Sequence, residues 1–272
     1  MLPNDALFVT HKERCRLCGR LSSLQRSHLL PKAAYRHVRD RPEDGGGSPV
    51  VFHVADNEAY YTDKQITAYL LCSDCEQRFS KFGELPVSKM WATKDGFPLL
   101  ERLSKDPRVV SGRSLNFFPP EMLGGVDLAA LFYFGASVIW RSHWWDWGSR
   151  SSPHKGMLGD TYENEFRRFL LGEISKLSSV RLLVALNTNF DMHGMISFPY
   201  CGRQGMSYCH QFDVLGIRFS FVVGKHPMPA VGAPFDKLGA DTLMVSADMT
   251  KTQNFLELAA EVQKIEVRGK AR

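Results

Sequence analysis

Two short-spaced cysteine pairs, Cys15-Arg-Leu-Cys18 and Cys72-Ser-Asp-Cys75, constrain the fold of this chain more than any other feature. Two C-x2-C pairs supply four thiolates, the donor set of a closed tetrahedral zinc site in a structural role. A site that uses both pairs ties residue 15 to residue 75 and gathers what lies between them into one small unit. The alternative, four ordinary buried or redox cysteines, is disfavoured by the identical spacing. It is also disfavoured by the start Met1-Leu-Pro-Asn-Asp-Ala, which lacks the basic and apolar parts of a secretory signal. The expectation is a cytoplasmic protein without disulfides, holding structural Zn2+ through Cys15, Cys18, Cys72 and Cys75.

Around these pairs the residue pattern predicts a compact set of elements. Cys15 to Gly19 reads as a zinc knuckle, with Gly19 supplying the positive φ of a tight turn, and Leu21 to Gln25 as a returning strand. Pro31 stands where a helix begins, continuing to Arg39, so His28 falls at a strand-to-helix junction. Asp40 to Pro49, with three consecutive glycines, is a surface loop, and Val50 to Val54 and Ala59 to Thr62 are strands. Ser73 reads as the cap of an amphipathic helix that turns Phe79 and Phe82 inward and places Cys75 in its first turn.

Net charge of +5 alone separates no function class, but its distribution is informative. From Lys12 to Arg41 there are nine Lys or Arg residues against two acids, Glu13 and Asp40. Such a stretch is either a solvated face or a phosphate-contacting surface, the latter built on Arg26, Lys32, Arg36 and Arg39, with Arg78 added from the second helix.

A knuckle followed by a strand end with His and Pro, and then Leu-Cys-x2-Cys opening a helix, resembles the HNH, or ββα-metal, endonucleases in their zinc-stapled, treble-clef form. The wording Ser27-His-Leu-Leu-Pro31 with Tyr69-Leu-Leu-Cys-Ser-Asp-Cys-Glu-Gln-Arg-Phe-Ser80 is similar to bacterial HNH-like proteins, over residues 14–84. The resemblance implies that His28 is the general base that takes a proton from the attacking water. It also implies that a second cation, Mg2+ or Mn2+, serves the scissile phosphate, and that bacterial defence is a setting for the activity. Three positions depart from that pattern. Ser27 stands where Asp is common, Gln65 and Thr67 are the polar residues nearest a missing Asn, and Glu76 replaces the final His. Glutamate is a hard oxygen ligand suited to magnesium. From the residues alone, His28 equally fits a packing histidine or a zinc ligand, and Glu76 a first-turn acid that favours the helix dipole.

Beyond a soft boundary near residue 95 the chain predicts an α+β unit of mixed helix and antiparallel sheet. The two units are residues 1–95, zinc-binding and HNH-like, and 96–272, binding substrate or partner. Asp127 to Trp140 reads as a helix covered on nearly all sides, too short to span a membrane, and Tyr162 to Leu171 as a second helix. Val180 to Leu186, Met195 to Tyr200, Ser207 to Leu215 and Ile217 to Val223 read as strands, and Gln253 to Lys264 as a closing helix. Trp140, Trp144, Trp145 and Trp147 form a cluster that suits a core anchor better than base stacking. Cys201, Cys209 and His210 sketch a second metal site without a fourth ligand, and Cys201 to Gly205 a hairpin turn. Two functions follow: a metal-dependent nuclease, or a noncatalytic zinc module that binds nucleic acid or a protein partner.

Overall fold

The computed structural model describes residues 12–39, 47–146 and 156–270. Arg41, Asp40 and Trp147 lie outside them. The N-terminal hairpin pairs β1 (Lys12–Arg14) with β2 (Leu21–His28), and β2 pairs in turn with β5 (Thr67–Cys72), both antiparallel. Between β1 and β2 the knuckle closes through Gly19 N–H to Cys15 O at 2.8 Å, and Gly19 adopts φ 72° as its turn requires. The strands β3 (Val50–His53) and β4 (Glu58–Tyr61) form a separate hairpin, which the last strand, β13 (Val267–Lys270), joins in parallel.

From β5 the chain passes straight into α1 (Ser73–Phe79), then through a π-turn (Ser80–Glu84) into α2 (Leu85–Val87), and α3 (Pro98–Ser104) follows. Cys72, not Ser73, occupies the N-cap position, and no side chain caps the helix. The helical path is not broken at Gly83 to Pro86. Gly83 instead lies against α4 (Leu128–Trp144), where a Cβ would sit 3.0 Å from Phe134 Cα. The helix expected from Pro31 to Arg39 is reduced to one 3-10 turn, Ala34–Arg36, closed by i→i+3 bonds.

Helix α4 is the centre of the molecule. Asp127 caps it, its Oδ1 accepting from Ala130 N at 2.9 Å, and every residue from Ala130 to His143 is buried. One side meets the π-turn; the other meets a seven-stranded sheet at Gly135, where a Cβ would lie 2.5 Å from Phe221 Cε2. Helix α5 (Gly159–Leu171) covers a third side. Its Glu163 Oε1 accepts from Trp140 Nε1 at 2.9 Å and from Trp144 Nε1 at 3.1 Å, so these tryptophans anchor the core.

The large sheet consists of β6 (Val110–Ser111), β7 (Asn116–Phe118), β8 (Val180–Asn187), β9 (Tyr200–Gln204), β10 (Ser207–Val214), β11 (Ile217–Val223) and β12 (Thr242–Ala247), in the order β6-β7-β12-β8-β11-β10-β9. It is not purely antiparallel, because β12 runs parallel to β8. Strand β11 ends beside the start of β8, and helix α6 (Pro229–Leu238) returns the chain at that same end into β12 on the other side of β8, so no crossover is needed. The two-residue turn between β10 and β11 places Leu215 at φ 47° and Gly216 at φ 80°, the paired left-handed geometry such hairpins need. Leu215 is held there by full burial and by bonds from its N–H to Met195 O and to its carbonyl from Ala92 N–H. The hairpin expected at Cys201 to Gly205 turns instead at Gly205, with φ 62°, after β9. Helix α7 (Gln253–Val262) closes that half, and one hydrophobic core runs from Cys15 through α4 to Met244, on both sides of residue 95. Among the described residues no helix is long and apolar enough to cross a membrane.

Candidate functional site

The knuckle and the start of α1 bring Cys15, Cys18, Cys72 and Cys75 together, with all four sulfurs within 4.8 Å of one another. Cys18 Sγ and Cys72 Sγ are 3.8 Å apart. Tetrahedral zinc with Zn–S of about 2.3 Å spaces its sulfurs by about 3.8 Å, whereas a disulfide would hold them at about 2.05 Å. The donor set therefore fits a tetrahedral thiolate-bound ion. At Cys15 the surroundings favour the anion. The Cys75 thiol, together with the N–H groups of Leu17, Cys18 and Cys72, pushes Cys15 down to about 4, against the opposing effect of burial. The same pairing, followed by burial, pushes Cys75 up. Arg20 Nε reaches Cys18 Sγ at 3.4 Å while its Nη2 pairs with Asp74 at 2.7 Å, on an exposed rim.

Immediately inside this cluster lies a polar group drawn from β2, α1, the π-turn and α4. Ser27, fully buried, donates to Glu76 Oε1 on α1. Arg141 of α4, its side chain only 1% exposed, pairs through Nη2 with Glu84 Oε1 at 3.0 Å and donates through Nη1 to the His28 carbonyl at 2.5 Å. It also bonds Ser137 and lies over the Phe79 ring. Glu84 joins Glu76 on one face because of the π-turn. An α-helix completes a turn in 3.6 residues, and an i→i+5 turn adds about one more, so the eight steps from residue 76 to residue 84 make about two turns.

His28 ends β2 half-buried, opposite Thr67, with a side-chain hydrogen bond to Gln65. Burial holds its pKa below the ordinary 6.5; the Gln65 bond and the Glu84 charge oppose that, and Lys32 and Arg141 add to it. Gln65 and Thr67 thus both meet His28. Burial pushes the Glu76 carboxyl up, Arg141 and the Ser27 bond pull it down, and the Glu84 charge raises it again. Glu84 and Arg141 are the members that sequence reasoning missed. Glu84 depends on a π-turn with no composition signal, and Arg141 is signalled only as the charge at which the long apolar run stops. Two carboxylates and an imidazole have the right chemistry for a hard divalent cation. Among the described residues, however, the cysteines form the one group of three or more potential ligands gathered within 4.8 Å.

The basic residues divide. Arg26, Lys32 and Arg36 are exposed, and Arg39 is in a surface pair with Asp63 at 2.6 Å. Arg78 does not belong with them: its guanidinium donates to Leu170 O at 2.9 Å and to Leu171 O, closing the carbonyl end of α5. Cys201, Cys209 and His210 do not assemble into a metal site. Cys201 sits opposite His210, with Sγ and Nε2 3.8 Å apart, but Cys209 is one residue along and alternates to the other face of the sheet. An open apolar cleft lined by Phe82, Leu128, Phe132, Tyr133 and Phe169 contains none of the predicted site residues. No family model matches the chain, and no curated protein or solved structure is significantly similar to it.

Proposed function

We propose that this protein is a metal-dependent nuclease of the HNH-like kind, in which a zinc-stapled treble clef holds a hydrolytic site on its inner edge. The observation that carries the reading is that the Arg141 guanidinium pairs with Glu84 and binds the carbonyl of His28 while its charge reaches Glu76, beside the four-cysteine cluster. His28 is kept neutral near pH 7 by burial and is oriented by Gln65, which suits a base that accepts a proton from water. Arg141 fixes the end of β2 by binding its last carbonyl, and so sets where the imidazole stands. Glu76 and Glu84 would hold a magnesium or manganese ion, which supplies charge stabilisation at the phosphate. Lys32, whose charge His28 feels, with Arg26 and Arg36, would meet neighbouring phosphates.

A second reading, a noncatalytic zinc module that binds nucleic acid or a protein partner, is favoured by one specific observation. Both carboxylates already have partners, Glu76 in Ser27 and Glu84 in Arg141. Incubating zinc-loaded protein with single- and double-stranded DNA and RNA, with Mg2+ or Mn2+, separates the two. The nuclease reading expects cleavage that His28→Ala abolishes with zinc content unchanged. Cleavage undiminished in His28→Ala rejects the assignment of the base, and binding without cleavage on every substrate supports the second reading.

A further inference from the structure

The paired segments Arg26–Ser27–His28 and Thr67–Ala68–Tyr69 run in unbroken register: Arg26 opposite Tyr69, Ser27 opposite Ala68, His28 opposite Thr67. Alternation along a strand therefore puts Arg26, His28, Thr67 and Tyr69 on one face and Ser27 with Ala68 on the other. The contacts agree. Buried Ser27 reaches inward to Glu76, while Arg26 Nε donates across to Thr67 Oγ1 at 2.8 Å. On that same face as His28, Tyr69 is 58% exposed.

Resting on the nuclease reading, we propose that Tyr69 is a stacking platform for an unpaired base next to the phosphodiester at His28. Arg26 takes the adjoining phosphate, so the substrate class is single-stranded nucleic acid. Diagonal neighbours on such a ribbon are about 7–8 Å apart, which sets the Tyr69 ring beside His28 at a distance one nucleotide can bridge. The charge of the surroundings complements a nucleic-acid backbone: Lys12, Arg14, Arg26, Lys32 and Arg36 are all exposed on this module. A duplex hides its base faces within its own stack, so an exposed aromatic ring can stack on a base only where that base is unpaired. Arginine and lysine contacts to phosphate, by contrast, serve single and double strands alike. Tyr69 is therefore the group on this face that distinguishes the two.

The test measures binding, not turnover, so that it stands apart from catalysis. In the His28→Ala background, fluorescence anisotropy follows zinc-loaded protein binding to short oligothymidine, oligouridine and a duplex of mixed sequence. Base stacking worth about 1–3 kcal/mol predicts that Tyr69→Ala weakens binding of at least one single strand by about 5- to 150-fold. Duplex binding should change by less than about twofold. Tyr69→Phe should retain affinity and Tyr69→Leu should not. Arg26→Ala should weaken every nucleic acid and lower the salt slope by about one. Equal loss on duplex and single strands, unchanged single-strand binding in Tyr69→Ala, or no binding of either single strand by the parent overturns the proposal. Selective loss in Tyr69→Ala in a protein whose wild type cleaves nothing leaves the stacking site standing and rejects only the nuclease reading.

Discussion

Replacing Arg141 with Met tests whether the polar group beneath the cysteine cluster holds the N-terminal module to α4. Methionine keeps much of the apolar stem over Phe79 but removes the guanidinium, and with it the 3.0 Å pair to Glu84 and the 2.5 Å bond to the His28 carbonyl. Removing one partner of a buried pair costs about 3–5 kcal/mol, because the other charge is left uncompensated. The Glu84 side chain is 21% exposed and can draw in water, which places the loss at the lower end, about 3 kcal/mol. At about 2–4 °C per kcal/mol for a chain of this size, the melting temperature should fall by about 6–12 °C. Urea denaturation of zinc-loaded protein measures the same loss at constant temperature. Adding Glu84→Leu to Arg141→Met should restore much of it, since an apolar pair replaces a broken ionic one. A change in Arg141→Met of under about 0.5 kcal/mol would refute the reasoning, as would strict additivity of the two substitutions.

Other outcomes follow from the same contacts. Gly135→Ala gains about 1 kcal/mol of helix propensity, but its Cβ would meet the buried Phe221 ring at 2.5 Å; overpacking of about 1–3 kcal/mol should prevail, read as a lower urea midpoint. Because burial holds His28 below 6.5 in the fold, the unfolded chain binds more protons as pH falls through 6.5, so stability is fully present above that value and declines below it. His28→Gln should make the decline shallower by up to about one proton, measured as the slope of unfolding free energy against pH. Elemental analysis should find about one zinc per chain, and Cys72→Ser should lose it together with resistance to trypsin.

The cysteine frame was legible because metal-ligand spacing is local: each C-x2-C pair marks one corner, and Gly19 marks the knuckle turn between pair and strand. The buried helix was legible in its unbroken apolar run, since a helix wrapped on all sides has no polar stripe to disguise it. What could not be read depends on partners remote in sequence. The π-turn at Ser80–Glu84 is a response to packing on Phe134, and without it Glu84 looks like a solvated helix charge. Arg78 looks like a phosphate ligand until the end of α5 is placed against it. Helix α6 carries Gly232 and Pro234 in an ambiguous stretch, and the direction of β12 after it is set by pairing with β8.

The claim that Glu76 and Glu84 form a site for a catalytic cation is tested most directly by Mn2+ binding, followed by electron paramagnetic resonance in zinc-loaded protein. This needs no knowledge of the substrate. One Mn2+ per chain should bind in addition to zinc, be competed by Mg2+, and be lost in Glu76→Gln and in Glu84→Gln while the zinc remains. Absence of Mn2+ binding in the wild type, or binding untouched by either substitution, would contradict it.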